Sequence, residues 1–143
     1  MNRRNHSWDY LLASLNPDIA LLQETAAIPG TLNSKQISQA TVKKGYHNSI
    51  YVKKLTHSKL QMPETKSYDG LYPSGMGTIC AKIDTTDVGP LFTLCIYGNM
   101  SFSPGLAYPL LGVISLFVSM LRNGYGAEHI ILSGDFNMDR RLD

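Results

Sequence analysis

Carboxylate, phenol and amide side chains follow three apolar runs of this 143-residue chain. Glu24 closes the run DIALLQE, Tyr97 and Asn99 close the run LFTLCIYGN, and Asp135 and Asn137 come directly after HIILSG. A hard cation such as Mg²⁺ takes one or two carboxylates together with waters and substrate phosphate oxygens. Hydrolysis of a phosphodiester needs an oriented, deprotonated water and neutralisation of the developing negative charge. One Glu, one Asp and two Asn are a set suited to that chemistry.

Each of these signals has an ordinary structural explanation when it is taken alone. A single Glu at a strand end is usually a solvated terminus. An Asp-x-Asn sequence is usually a turn in which both side chains bond their own backbone. At Asp135 and Asn137 the preceding Gly134 favours such a turn, because glycine lets the chain change direction at the end of a strand. The order of the three motifs along the chain is what favours a site.

The hydrophobic pattern predicts alternating strands and helices within a single domain, residues 1–143. The predicted strands are 18–23, 46–54, 77–83, 91–98 and 129–133, and the predicted helices are 8–15, capped by Ser7, and 107–122. Residues 84–90 between two of the strands predict a hairpin, and Asn123-Gly124 predicts the end of the second helix. This order favours an α/β sandwich over a doubly wound nucleotide-binding fold.

Composition narrows the class of protein. The hydrophobic content of 43% fits a globular domain. The net charge of +2 is too small to produce an electrostatic field over the whole surface that would attract nucleic acid or a membrane. The polar N-terminus does not fit a signal peptide, and the apolar run 106–121 is too short to span a bilayer. Cys80 and Cys95 fall within predicted strands and are expected to be buried free thiols in a reducing compartment. We therefore expect a cytoplasmic protein with no membrane partner; its oligomeric state is not indicated.

Lysines are concentrated between Lys35 and Lys66. That segment has seven lysines (35, 43, 44, 53, 54, 59 and 66) and one acid, Glu64. Such a strip would attract a phosphate-bearing substrate. The simpler interpretation, which we favour, is a pair of solvated strands and a loop.

The motifs NPDIALLQET, CIYGNM and ILSGDFN, in this order, resemble the endonuclease/exonuclease/phosphatase superfamily, the deoxyribonuclease-like proteins. The resemblance extends over nearly the whole chain at the level of motif order, and the LQE and GDFN motifs are its most specific part. It implies part of a four-layer α/β/β/α sandwich with mixed, mostly antiparallel sheets. It also implies hydrolysis of a phosphate-containing substrate, with nucleic acid as a candidate, and an essential Mg²⁺ or Mn²⁺.

The resemblance also implies a role for each motif residue. Glu24 matches the carboxylate that binds the metal, and Asn2 matches a polar residue near that metal. Asp135 matches the acid that orients or activates the nucleophilic water, and Asn137 matches the neighbour that steadies the site. The remaining pair, Tyr97 and Asn99, matches the group that contacts the scissile phosphate, although the family's spacing there is often one residue longer.

Two parts of the family's pattern have no counterpart in this sequence. The family has a strand before the position of Asn2, and it has a second half after GDFN with an Asp and an Asp-His pair. None of the four histidines (His6, His47, His57 and His129) lies in the context of that His. We therefore expect an incomplete domain, with impaired or absent catalysis in these 143 residues.

Several functions remain open at this stage. A metal-dependent phosphoester hydrolase, most simply a nuclease-like phosphodiesterase, is the first. A non-catalytic remnant or binding module that keeps the fold is the second, and a lipid or small-molecule phosphatase is a variant of the first. A plain α/β domain with coincidental motifs is the third.

Overall fold

Two β-sheets pack face to face in the computed structural model, which describes residues 7–32, 35–43, 45–61, 78–97 and 107–136. The elements in chain order are a π-helix (Tyr10–Leu15), β1 (Ile19–Thr25), β2 (Ile37–Lys43), β3 (Tyr46–Val52), β4 (His57–Leu60), β5 (Ile79–Asp84), β6 (Pro90–Tyr97), α1 (Ala107–Tyr125) and β7 (His129–Asp135). The α/β class predicted from the sequence is confirmed.

Each sheet has a simple strand order. Sheet A runs β1-β3-β2 and is antiparallel throughout. Sheet B runs β4-β5-β6-β7, and only its β6–β7 pair is parallel. Parallel neighbours need a long crossover connection, which α1 supplies between β6 and β7. The C-terminal ends of β6 and β7 therefore lie at the same edge of sheet B.

The hydrophobic core has two parts, one on each face of sheet B. Between the sheets, Ile50 and Val52 of β3 pack with Ile79, Ile83 and other side chains of sheet B. On the opposite face of sheet B, Phe117 and Leu121 of α1 pack against Phe92, Leu94 and Ile96. The N-terminal helical segment lies beside β1, where Trp8 is buried. Helix, sheet, sheet and helix form the layers of a sandwich.

The predicted strands were nearly right in position, but two strands were missed. β2 and β4 read in the sequence as polar connecting segments, ISQATVK and HSKL. Both are terminal strands of their sheets within the described residues, and such strands bury little apolar surface. Their alternation is weak because only part of one face meets the core.

Both predicted helices form, with different ends. Ser7 was predicted to cap the first helix, but it lies within the helical segment, where residues 7–9 are α-helical and run into the π-helix. The second helix extends beyond Asn123 to Tyr125, and Gly126 follows it with a positive φ of 64°. Leu116 of this helix is 43% exposed. Neither helix, within the described residues, has the length and apolarity to span a membrane.

The hairpin between β5 and β6 is confirmed. Asp84 pairs with Pro90, and the hydroxyl of Thr85 donates to the carbonyl of Gly89 at 2.6 Å. Gly89 has a φ of 73°, a conformation that glycine adopts without steric cost. Cys80 and Cys95 are both free and buried, as the sequence predicts.

Candidate metal and phosphate site

Three of the residues selected from the sequence meet at one end of the sandwich. The hydroxyl of Tyr97, the last residue of β6, donates a hydrogen bond of 2.9 Å to Oε1 of Glu24 on β1. Asp135, the last residue of β7, is the register partner of Tyr97 in the parallel pair. Neighbouring strands lie about 4.8 Å apart, so the backbones of Tyr97 and Asp135 are adjacent. The strand ends thus bring Tyr97 into contact with Glu24, which lies 73 positions away in sequence.

A β-bulge in β1 aims Glu24 at sheet B. Side chains alternate between the faces of a strand, so Gln23 and Glu24 would normally point in opposite directions. In β1 the register shifts between Leu22, which pairs with Ser49, and Thr25, which pairs with His47. One extra residue is therefore inserted, and Glu24 has a φ of 48°, in the left-handed region. Both Gln23 and Glu24 consequently reach side chains of sheet B.

Polar side chains between the two sheets form hydrogen bonds in the interior next to the site. Nε2 of Gln23 lies 3.4 Å from Oγ of Ser133 and 3.5 Å from Sγ of Cys95. The Cys95 thiol in turn donates to the carbonyl of Leu22 at 3.6 Å. Burial raises the pKa of the Cys95 thiol, and the hydrogen bond from Gln23 opposes that rise. Cys95 is therefore a neutral thiol that ties the two sheets together beneath Tyr97.

Sequence reasoning missed this supporting group. Gln23 and Ser133 were recognised only as letters of the LQE and SGD motifs, each beside a residue with an obvious chemical role. A signal was available for both, since a polar residue inside an otherwise apolar run must find a partner when it is buried. The partner itself is 110 positions away for Gln23 and Ser133, which no local pattern reveals.

Gly134 has a different role from the one predicted. It does not turn the chain, because β7 continues through it to Asp135. A Cβ at this position would lie 2.1 Å from the carbonyl oxygen of Ile96, its register partner on β6. Glycine is required here because the backbones of β6 and β7 approach too closely for any side chain. This close approach holds Asp135 beside Tyr97.

The accessibility of the acids fits a cation site. Glu24 and Asp135 are exposed and Tyr97 is half-buried, so water and a substrate can reach both carboxylates. Magnesium usually keeps several waters and takes one or two protein carboxylates, a donor set that Glu24 and Asp135 would satisfy. In the part of the chain that the structure describes, no cluster of three or more His, Cys, Asp or Glu side chains forms an all-protein metal cage. The arrangement suits a metal that shares its coordination sphere with the substrate.

The structure does not describe the three amide residues that were predicted for this site. Asn2, Asn99 and Asn137 all fall outside the described residues. Their assigned roles near the metal, at the scissile phosphate and beside Asp135 stay predictions.

A cavity of about 570 Å³ adjoins Glu24 on the side of the N-terminal helical segment. Trp8, Leu11 and Tyr46 are among the residues that line it. A volume of this size is within the range of small-molecule pockets, roughly 300–1,000 Å³. The candidate site therefore has an apolar recess on one side and open solvent on the other.

Comparison with known proteins identifies a fold but no family. No protein-family model matches the sequence, and no curated protein matches it at a significant level. Among solved structures, the crystal structure of selenomethionine TDP2 from Caenorhabditis elegans is similar, with a TM-score of 0.63 at 18% sequence identity. The match covers 95% of this chain and 42% of that chain, so this chain spans less than half of its length. The likeness shows that the two chains share a fold over most of the length of this chain.

Proposed function

We propose that this chain carries the metal-binding edge of a divalent-metal-dependent phosphoester hydrolase, with a nuclease-like phosphodiesterase as the favoured form. The hydrogen bond between Tyr97 and Glu24, with Asp135 beside Tyr97, is the observation that carries the proposal. Three different strands contribute one side chain each: a carboxylate, a phenol and a second carboxylate. They converge, as the roles implied by the motif resemblance would need. This convergence supports the proposal over coincidental motifs.

Each residue has a distinct part in the proposed chemistry. Mg²⁺ or Mn²⁺, when bound, would polarise a phosphoryl oxygen and neutralise developing charge. Glu24 would hold the metal. The Tyr97 hydroxyl, whose single proton is donated to Glu24 in this structure, would turn that proton towards a phosphate oxygen when a substrate binds. Asp135 would orient the attacking water. Asn137 and Asn99 would complete the phosphate contacts, and Asn2 would lie near the metal.

The open position of the acids favours a polymeric phosphodiester. Within the described residues, both carboxylates are exposed at the rim of the sandwich. An extended backbone can pass such a rim, whereas a small head group is usually enclosed. Nucleic acid is therefore the favoured substrate over a lipid or a small phosphomonoester.

We expect these 143 residues to bind metal but to turn over substrate slowly or not at all. The resemblance assigns proton transfer to a His for which this sequence has no match. A positioned acid or base contributes roughly 10²–10⁴-fold in rate. Without that contribution, one experiment should detect metal binding in the absence of rapid cleavage.

The test measures both properties on the same samples. Mn²⁺ binding is followed by electron paramagnetic resonance with Mg²⁺ competition, and cleavage is followed on supercoiled plasmid with and without chelator. Glu24→Gln and Asp135→Asn should each weaken Mn²⁺ binding by about tenfold or more, a loss of about 1.4 kcal/mol. Asp87→Asn is the matched control, because Asp87 is an exposed carboxylate in the hairpin between β5 and β6, where it accepts a bond from Thr86.

The outcomes discriminate between the candidate functions. Equal Mn²⁺ affinity in the wild type and both site variants would refute the metal site. Metal binding without any cleavage, here and in a longer natural form of the chain, would favour a binding module. Rapid chelator-sensitive cleavage that Asp135→Asn abolishes would show that the 143 residues are catalytically sufficient, contrary to our expectation.

A further inference from the structure

Four lysines surround one concavity at the end of the sandwich farthest from Glu24. The cavity has a volume of about 470 Å³, and Lys35, Lys53, Lys54 and Lys59 are among its lining residues. No Asp or Glu of the described residues lines it. The sequence shows these lysines as a long strip, and the fold turns part of that strip into a local concentration of positive charge.

The register of sheet A separates this cavity from the candidate metal site. The cavity lies where β3 ends, at Val52, which pairs with Ile19 at the start of β1. Glu24 lies near the other end of β1, five residues further on. At about 3.3 Å per residue, the two ends are roughly 16 Å apart along the strand. These four lysines are therefore too far away to contact a metal or a phosphate held between Glu24 and Asp135.

The backbone under the lysines is well anchored. The N–H of Lys53 donates to the carbonyl of Asp18 at 2.9 Å, and Nε2 of Gln36 donates to the carbonyl of Lys53 at 3.1 Å. The Lys59 ammonium donates to the carbonyl of Gln39 at 3.0 Å and so links β4 to β2. An ammonium carries three donors, so this bond leaves Lys59 two more. The positive charges are thus carried on a rigid frame.

The lining chemistry suits phosphate. Hydroxyls of Ser38 and Thr56 lie among the lysines and add neutral donors. Like charges held close together repel one another, and a multivalent anion offsets that repulsion at all of them at once. No Phe, Tyr or Trp of the described residues lines the cavity, and the imidazole of His57 is the one ring on its described wall, so it offers a poor platform for stacking successive bases. A compact anion fits such a pocket better than a nucleic-acid strand does.

We propose that this cavity is a second anion site that binds a compact oligophosphate, independently of the metal site. The ligand class is a small molecule with two or more linked or clustered phosphate groups. Nucleoside triphosphates and inositol polyphosphates both carry phosphate groups arranged in this way. Binding here requires neither Glu24 nor a divalent cation.

Calorimetric titration with inorganic tripolyphosphate in low salt and chelator tests the site. The wild type should bind one equivalent, and the double variant Lys53→Gln/Lys54→Gln should bind about tenfold or more weakly, since two charge-assisted contacts are lost. Lys82→Gln is the matched control, because Lys82 lies on β5 with its Nζ 3.8 Å from Asp84 and does not line the cavity. Its affinity should equal that of the wild type.

Two further variants separate charge from folding and this site from the metal site. Lys53→Arg/Lys54→Arg keeps the charge and should retain binding, and its failure to bind would overturn the proposal. Glu24→Gln should bind tripolyphosphate like the wild type, whatever it does to Mn²⁺ binding. Equal affinity of the wild type and the Gln double variant would also overturn the proposal.

Natural ligand sources are compared in parallel titrations. Tighter binding of adenosine triphosphate or of inositol hexakisphosphate, lost in the Gln double variant, supports the proposal and identifies the source. Lysine-dependent binding of a ten-residue oligothymidylate without any binding of the small anions would refute it. In that case the lysines would bind the phosphate backbone of a nucleic acid.

Discussion

Substitution of Gly134 tests whether the close approach of β6 and β7 builds the candidate site. In Gly134→Ala the new Cβ would lie 2.1 Å from the Ile96 carbonyl oxygen, 2.9 Å from its carbon and 3.1 Å from its nitrogen. An ordinary contact needs 3.4 Å or more, so the strands must separate by about 1.3 Å at this point. Because the obstacle is backbone, no side-chain rotation relieves it.

The cost follows from the ladder bonds that this separation stretches. A backbone hydrogen bond contributes about 1 kcal/mol net, and overpacking in a well-packed region costs about 1–3 kcal/mol. We expect Gly134→Ala to lower the free energy of unfolding by about 3 kcal/mol. Asp135 follows directly, so the same separation shifts its carboxylate relative to Glu24. Mn²⁺ affinity should therefore fall as well, under conditions where the variant is still folded.

Urea unfolding followed by circular dichroism measures the stability change. Gly124→Ala is the control, since its Cβ would lie 4.0 Å from Cγ of Met120 on α1. Alanine is favoured over glycine within a helix by up to about 1 kcal/mol, so this control should be neutral or more stable. If Gly134→Ala unfolds within about 0.5 kcal/mol of the wild type and keeps its Mn²⁺ affinity, the close approach does not build the site and the reasoning is refuted.

Two further expectations concern the core and the thiols. Leu121 is fully buried between α1 and sheet B, so Leu121→Ala should lower the free energy of unfolding by about 3 kcal/mol in the same urea assay. The control is Leu116→Ala, at a 43% exposed position, which should change that free energy by less than about 0.5 kcal/mol. Burial raises the pKa of Cys80 from 9.0 to about 12, so the thiol's contribution to stability is complete below pH 9 and is lost as the pH rises from 9 towards 12, because the unfolded thiol ionises first. The fall in stability between about pH 8 and about pH 10.5 should be smaller in Cys80→Ala, and an unchanged fall would contradict this account.

The sequence by itself predicted the α/β class, the approximate places of the long strands and both helices. Those elements bury a whole face or more, so their apolar residues repeat with the period of a strand or a helix. Phe117 and Leu121 lie four positions apart in the helix predicted at 107–122, and both are buried, as a helical period requires. Glu24, Tyr97 and Asp135 were selected for their position at strand ends, and the structure places all three at one end of the sandwich.

Only the tertiary structure decided how those residues meet. β2 and β4 bury too little apolar surface to show a period, so their pairing becomes apparent only when β3 and β5 lie beside them. The bulge that turns Glu24 towards Tyr97 depends on the register between β1 and β3, and the need for glycine at position 134 depends on the backbone of Ile96. Part of the lysine strip likewise became a cavity only when the start of β2 lay beside the segment that joins β3 to β4. Each of these features depends on distances between segments far apart in sequence, which a local pattern of residue types does not encode.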